Sequence, residues 1–525
     1  MSRIVVIGAG VGGLGTALCA ARSGHTVTLI ERDDTPLPAD PRGAFDWDRR
    51  GAPQVRHSHA FLARLRNLLR DRHPDLLASL LDAGATEIRF LDTPPVGMEI
   101  TPEPADEELV ALACRRTTFE WVLRRAALAE GGVELLHGTT VSSLVAASER
   151  HDGLPVIVGV RLADGTGPED GTVIEADVVV ASGGRRIDVP GLLAAHGVEV
   201  TETEEDTGII YLSRFFRLTD GSELPSSFGV IGGDLGYLKY GVFPGDDRTF
   251  SITFAVGTHD AELRRLLLHP DTFITAAAAI TATAPYVDGR SEPITGVEVM
   301  GGLINRRRRF TDDEGRPLVL GFHALGDAHT ATNPLYGRGC ALAMVQAQLL
   351  ADLLDAHDPA RCGDRAVDGI AVGDDVSATS SHVARAIAYE QALQEQVIPW
   401  YNAAVRQDRV ARDAADAARR TAEEPSGETE HAENGVAPEP DTEDGFVDPA
   451  ELVRSLLRDG LLPALKVDPV VLRAFLRMFN LLEPPDSLIN DPDLIGRVMA
   501  VYQDRENRPP EPTAGPDRAG FLAAI

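Results

Sequence analysis

The chain opens on an apolar run, Ile4–Ile7, that gives way to glycines, then to small and apolar residues around Ala17 and Ala20–Ala21, then to a second run, Val27–Ile30. Two short buried strands around a helix that Gly24 ends predict a βαβ unit. Further apolar strands lead into Gly183 and Gly326. The period changes in the middle of the chain. Ile209–Phe216, Gly236–Phe243 and Thr249–Val256 alternate or carry β-branched and aromatic residues, which predicts strands of a sheet. Helical spacing resumes over Ala384–Arg420, interrupted by Pro399, and again over 449–482. There Leu472, Phe475, Leu476 and Phe479 share a face at i, i+3, i+4, i+7 spacing. That face predicts a helix packed on the main body, with a lid over a lipophilic substrate or a membrane contact as the alternatives. No internal repeat is visible.

The glycines after the first strand give this pattern its chemistry. Gly8, Gly10 and Gly13 read G-x-G-x-x-G, with Gly12 between, after a strand and at the start of a helix. Gly8 allows the tight turn, Gly10 removes a Cβ from the path of a pyrophosphate, and Gly13 lets the helix pack on the sheet. The helix N-terminus offers free N–H groups to the phosphates. Glu31, followed by Arg32, closes the second strand. Its carboxylate can accept hydrogen bonds from ribose hydroxyls and disfavours a 2′-phosphate.

A second signature lies far downstream. Residues 317–343 run from an apolar strand to Gly326-Asp327, then through Asn333-Pro334, Gly337 and Gly339 into a small-residue helix. A nicotinamide dehydrogenase does not need this distant pair of motifs; a flavin does, because its ribityl chain and ring extend beyond the first βαβ unit. With both motifs in place the chain resembles the FAD-containing monooxygenases of the p-hydroxybenzoate-hydroxylase fold. The resemblance implies Asp327 as the ribityl ligand, at the N-terminal end of a helix following Gly326, with Pro334, Gly337 and Gly339 as a backbone wall. An ordinary Asp N-cap is the alternative. Arg116-Thr117-Thr118-Phe119 with Leu123 is similar to the family's R-x-x-L-x-x-x-L helix start, whose Arg lies against the cofactor, although Arg115 is adjacent. Val141 joins the implied cofactor set. Ala181-Ser182-Gly183-Gly184 replaces the D-G of simple ring hydroxylases and looks more like the A-T-G turn of epoxidases, reductases and halogenases. Segments 51–61, 305–310 and 333–339 resemble the squalene-epoxidase-like and polyether-epoxidase-like branch. The motifs cover residues 1–345; none is diagnostic beyond about 357.

The expected fold is α/β: a glutathione-reductase-type Rossmann FAD domain, discontinuous over 1–90, 112–190 and 312–357. A mixed β-sheet substrate domain (91–111 and 191–311) is inserted, and a helical region (358–420 and 446–525) closes the chain. Residues 421–445 hold nine acids, no Lys or Arg and almost nothing apolar, which predicts a disordered insertion.

Composition narrows the partners. The net charge of −30 over 525 residues argues against nucleic acid and against an anionic membrane surface. Cys19, Cys114, Cys340 and Cys362 form no C-x-x-C, which fits a reduced cytoplasm and no zinc site. No leader is expected before a strand that starts at residue 3, and no uncharged apolar run approaches a bilayer span, so no integral membrane association is expected.

The resemblance implies FAD, molecular oxygen and a small lipophilic substrate, an alkene or a polycyclic natural product of secondary metabolism. One oxygen atom would pass to it from oxygen activated at C4a of reduced flavin, in an epoxidation or hydroxylation. A reductase of isoprenoid double bonds, like the geranylgeranyl reductases, is the alternative. A halogenase W-x-W-x-I-P segment is absent. No second G-x-G-x-x-G serves NAD(P)H, so the reductant either docks transiently or gives way to a separate flavin reductase. Epoxidation needs no charged nucleophile, and the catalytic residues stay open. His57, His59 and Gln54 are candidates in a loop the family places near the flavin ring, against a structural role at a domain junction. His329 follows the cofactor wall. Tyr211, Phe215, Phe216, Tyr240 and Phe254 are candidates for the substrate face or for plain core. Arg306–Arg309 is either an acid-pairing run or a guide for the nicotinamide phosphate.

Overall fold

The computed structural model describes residues 1–166, 171–225, 231–357, 374–423, 455–509 and 515–525. In chain order the elements that build the site are β1 (Arg3–Ile7), α1 (Val11–Arg22), β2 (Thr26–Glu31), α2 (Arg116–Ala129), β3 (Val133–His137), β4 (Val178–Ala181), β5 (Thr201–Asp206), β6 (Ile209–Leu218), β7 (Leu238–Pro244), β8 (Thr249–Gly257), β9 (Ile304–Arg309), β10 (Phe322–Ala324), α3 (Gly339–Ala356), α4 (Ile398–Glu423) and α5 (Pro469–Phe479).

The first sheet is parallel, in the order β10-β4-β1-β2-β3. Its central strands are valine- and isoleucine-rich because helices and a second layer cover both faces. On one face lies α1. Its small residues let α3 approach closely: a Cβ on Gly15 would meet Met344 Sδ at 2.5 Å. By length and composition α3 could cross a membrane, yet it packs against α1 and is 67% buried.

The second large sheet has six strands: Ile231–Asp234, β7, β8, β6 and Ser291–Pro293, with Glu298–Met300 also paired to β6. One face carries Leu212, Phe216, Phe250, Phe254 and Val256 into a core closed by helices. The other face looks into the site.

Two expectations change. Residues 91–111 do not join this sheet; Thr86–Arg89 pairs only with Val110–Ala113 as a separate hairpin. The hairpin has its own apolar partner, because Phe90, Met98, Leu109 and Ala111 pack on Leu472 and Leu476 of α5. The second change is β9, which leaves the six-stranded sheet and pairs with β5. There the arginine run meets the acids of TETEED: Arg308 Nε donates to Glu202 at 2.6 Å and Arg306 pairs with Glu204 at 2.5 Å, while Arg309 pairs locally with Asp313 at 2.7 Å in the turn that follows. Opposite charges across an antiparallel pair account for this run.

Pro399 sits in the first turn of α4, where its missing N–H costs nothing, and so separates α4 from the helix Asp374–Gln396. The acidic segment expected at 421–445 lies outside the described residues, apart from 421–423, which end α4. Cys362 lies outside them too. Cys19, Cys114 and Cys340 are buried free thiols, and the described residues hold no cluster fit for a metal ion.

Candidate functional site

A cavity of about 1030 Å³ runs from the glycine turn after β1 to the open face of the six-stranded sheet. At the turn each glycine has a separate task. Gly8 has φ +104°, and a Cβ there would meet Ser182 O at 2.7 Å and Gly183 Cα at 2.8 Å. The two glycine turns thus touch backbone to backbone. A Cβ on Gly13 would lie 1.8 Å from Gly8 O, so α1 can pack here only without a side chain. Gly10 is different. It caps α1 in extended backbone that any residue adopts, and a Cβ there would meet nothing within 4 Å. Its open side belongs to the cavity, which is what a pyrophosphate lying on the helix N-terminus requires.

Glu31 is buried beside this turn. Its Oε2 accepts from Ala9 N at 2.9 Å and its Oε1 from Asp33 N at 3.0 Å. One further lone pair on each oxygen remains for a ribose. Behind it lies a charge network that the motifs do not announce. Arg49 donates to Glu120 at 2.7 Å, to Asp33 at 2.9 Å and to Ala9 O at 3.1 Å. Glu120 is fully buried on α2 and also accepts from Arg116 at 2.9 Å. Burial alone would raise the Glu120 pKa, but Arg49 and Arg116 hold it below the ordinary carboxylate range. Arg116 donates a further bond to Cys340 Sγ at 3.0 Å and lines the cavity. Arg115 is occupied elsewhere, bound to Asp246 at 2.6 Å and stacked over Phe45. Of the two arginines, only Arg116 lines the cavity.

Gly12, Arg32, Val141, Gly183, Gly326, Asp327, Pro334, Gly337 and Gly339 also line the cavity. Asp327 does not begin a long helix. It sits in the single 3-10 turn Gly326–Ala328, and the long helix starts only at Gly339. A helix dipole therefore does not hold its charge; enclosure raises its pKa, against the pull of Arg185 at 3.9 Å. Gly337 has φ +65°, and its Cβ would meet Ala60 Cβ at 3.0 Å, so it is needed for backbone conformation and close packing as well as for space.

The 333–337 loop is fixed from a distance. Asp408, on α4, accepts from Asn305 at 2.6 Å, from Asn333 at 2.8 Å and from Tyr336 at 3.0 Å. Tyr211 OH donates to Asn333 Oδ1 at 2.9 Å. No sequence motif points to Asp408, because the signal is tertiary.

At the sheet end, strand alternation decides which residues reach the cavity. Tyr211 and Ser213 of β6, Thr253 and Ala255 of β8, and Lys239, Gly241 and Phe243 of β7 line it. Tyr240 lines it as well, its ring lying over Gly233. Phe254 and Phe216 do not: the two-residue period turns them into the opposite core. Phe215 shares the Tyr211 face, yet its ring packs edge-on to Phe45 at 5.6 Å instead of lining the cavity. Gln54, His57 and His59 all line it. Burial pushes the His57 pKa down to about 4 and that of His59 down to about 3, so both are neutral near pH 7. His59 Nδ1 lies 2.9 Å from His57 O, so Nδ1 carries the proton. His329 is elsewhere, stacked on Phe310 and bonded to Thr330 at 2.7 Å.

Phe475, Leu476 and Phe479 of α5 complete the lining. Leu472 and Leu476 anchor the helix in the 86–113 hairpin, as do Arg473–Asp106 and Arg477–Glu108. The Phe475 and Phe479 rings, stacked at 6.0 Å, are left toward the cavity.

FAD fits this cradle: open space over Gly10, a buried acid with free lone pairs, and a cavity long enough to continue past Asp327. The fold and the cradle define an FAD-dependent oxidoreductase. Residues 3–42 match the family model described as FAD dependent oxidoreductase. The chain is 30% identical over 392 residues to protein Rv3254 of Mycobacterium tuberculosis, a match that spans 69% of this chain and 75% of the relative. The chain belongs to the family of that mycobacterial protein. Two solved structures share the fold. OxyS anhydrotetracycline hydroxylase from Streptomyces rimosus aligns over 92% of this chain and 76% of its own, with a TM-score of 0.52 and 17% identity. PqsL, described as a probable FAD-dependent monooxygenase from Pseudomonas aeruginosa, aligns over 79% and 99%, with a TM-score of 0.50 and 17% identity.

Proposed function

We propose that the protein is an FAD-dependent monooxygenase that transfers one oxygen atom to a lipophilic alkene or polycyclic compound. The observation that carries this reading is the continuity of the cavity, which joins the dinucleotide cradle to a mostly apolar chamber on the sheet. When bound, the flavin supplies the oxygen activation. The chain supplies the rest. Gly8, Gly10 and Gly12 with the α1 N-terminus would hold the pyrophosphate, Glu31 the ribose, and Asp327 the ribityl chain. Phe475, Leu476 and Phe479 exclude water from the far end, which an oxygenation site needs. His57 and His59 are uncharged at neutral pH, so they orient oxygen functions through hydrogen bonds and do not act as cations.

The test uses the yellow protein reduced by NADH, by NADPH or by a separate flavin reductase, then reoxidised in air with a panel of lipophilic alkenes and polycyclic aromatics. The expected result is substrate-dependent oxygen uptake and a product heavier by one oxygen atom. Anaerobic saturation of an isoprenoid double bond, with no oxygen uptake, would favour the reductase reading instead.

A further inference from the structure

The loop after Pro53 and strands β6 and β8 meet in a run of hydrogen bonds that no charged group enters. Ser251 Oγ lies 2.7 Å from Ser58 Oγ, which lies 2.6 Å from Thr253 Oγ1. Thr253 Oγ1 lies 2.7 Å from Ser213 Oγ, which lies 3.0 Å from His57 Nδ1. His57, Ser58, Ser213 and Thr253 all line the cavity. Hydroxyls are uncommon on the buried face of a sheet unless each finds a partner, and here each does.

The protons of this run can be counted. Four hydroxyls supply four protons for the four bonds. If every hydroxyl donates toward His57, Nδ1 accepts and Nε2 carries the N–H. If His57 donates from Nδ1, Ser213, Thr253 and Ser58 turn to donate the other way, Ser251 only accepts, and Nε2 is left with a bare lone pair. Both arrangements keep all four bonds. Among the described residues Nε2 has no partner, and the ring is neutral near pH 7. His57 can therefore meet a donor or an acceptor with no change of charge.

We propose that His57 Nε2, backed by the Ser213–Thr253–Ser58–Ser251 run, is the polar anchor for the substrate and takes an uncharged oxygen function, a hydroxyl or a ketone carbonyl, on an otherwise apolar frame. The proposal rests on reading the cavity as the substrate chamber. Two of the cations that line the cavity are engaged: Lys239 is paired with Asp234, and Arg185 lies beside Asp327. The apolar frame has Phe243, Ala255, Phe475 and Phe479 to rest on.

The test titrates FAD-loaded protein calorimetrically with 2-naphthol, 2-acetylnaphthalene, naphthalene and 2-naphthoate. The naphthol, a donor, and the ketone, an acceptor, are each expected to bind at least about tenfold tighter than naphthalene, the worth of one buried hydrogen bond. The naphthoate anion is expected to bind no tighter than naphthalene. His57→Phe should bring naphthol and ketone to within about threefold of naphthalene. Thr253→Val keeps the shape of the strand and leaves His57 in place but cuts the run, so it should lower the preference by at least about threefold. It carries the test if His57→Phe does not fold, which FAD content and the thermal transition report. Equal binding of naphthol and naphthalene to the unmodified protein overturns the proposal. So does an undiminished preference in either variant. Tightest binding by naphthoate also overturns it, moving the anchor to Arg185 or Lys239. Binding is read without turnover, so a preference that holds in a protein that oxygenates nothing rejects the proposed function and leaves the anchor standing.

Discussion

The two ends of the cavity are built by opposite means. The glycine end is backbone and charge: Gly8 and Gly13 admit no Cβ, and Arg49, Glu120 and Arg116 form a buried ionic network behind Glu31. The sheet end is side chain and neutral: hydroxyls joined to an uncharged His57, with aromatic rings around them. A dinucleotide carries fixed charge and fixed length, so the core of its cradle, Gly8 to Glu31, is written into one βαβ unit. An apolar substrate offers little charge to grip, so its chamber is assembled from strands, a loop and a distant helix. The first end should fail by misfolding or by losing its charge balance. The second should fail by losing selectivity.

The largest effect is expected at the first end. Gly13→Ala places a Cβ 1.8 Å from Gly8 O, and overpacking against backbone should cost more than about 4 kcal/mol. The protein should not accumulate in a folded, yellow form. A well-folded Gly13→Ala variant with full FAD content would break the account of α1 packing.

Next is Glu120→Gln, which leaves Arg49 and Arg116 short of a buried counter-charge. Removing one partner of such a network costs about 3–5 kcal/mol, read as a lower midpoint in urea. An unchanged midpoint would mean the network is not what holds α2 to the cradle.

The third contrast is in pH. His57 is buried neutral, its pKa moved from 6.5 to about 4. As pH falls below 6.5 the unfolded chain takes up this proton before the folded one does. Its contribution to stability is therefore complete above 6.5 and is lost as pH falls through about 4. His57→Phe should remove about 3 kcal/mol of that acid sensitivity relative to the unmodified protein, measured by urea unfolding at several pH values. Parallel stability curves for the two proteins would show that His57 is not buried neutral.

A smaller effect separates the two faces of the sheet. Phe254→Leu should cost about 1 kcal/mol of stability through lost packing and leave ligand preference unchanged, because Phe254 points into the helical core. A change in which ligand binds best would put Phe254 back on the cavity side.

The same contrast explains what was legible in the sequence. Gly8, Gly10, Gly13 and Glu31 sit within one βαβ unit, where local backbone chemistry dictates residue type. Gly326-Asp327 and Gly337 were readable for the same reason, although the expected helix at Asp327 proved to be one 3-10 turn. The choice between Arg115 and Arg116 needed the structure, since only the fold brings Asp246 to Arg115. Aromatic strands were readable as strands, but Phe254 and Phe215 could not be assigned a face without knowing what lies on each side. Asp408, Arg49 and Glu120 belong to no local pattern; their partners lie far away in sequence. The helical face at 472–479 was legible as amphipathic, but that its leucines anchor it while Phe475 and Phe479 line the cavity is a tertiary fact.

The central claim is that the open side of Gly10 is the pyrophosphate seat, and Gly10→Ala tests it most directly. Gly10 already has backbone angles that any residue adopts, and the added Cβ would meet no protein atom within 4 Å. The thermal transition of the FAD-free variant should match that of the FAD-free unmodified protein. FAD affinity, measured by quenching of flavin fluorescence, should fall at least about tenfold, or 1.4 kcal/mol. Undiminished FAD affinity in a fully folded Gly10→Ala protein would contradict the account.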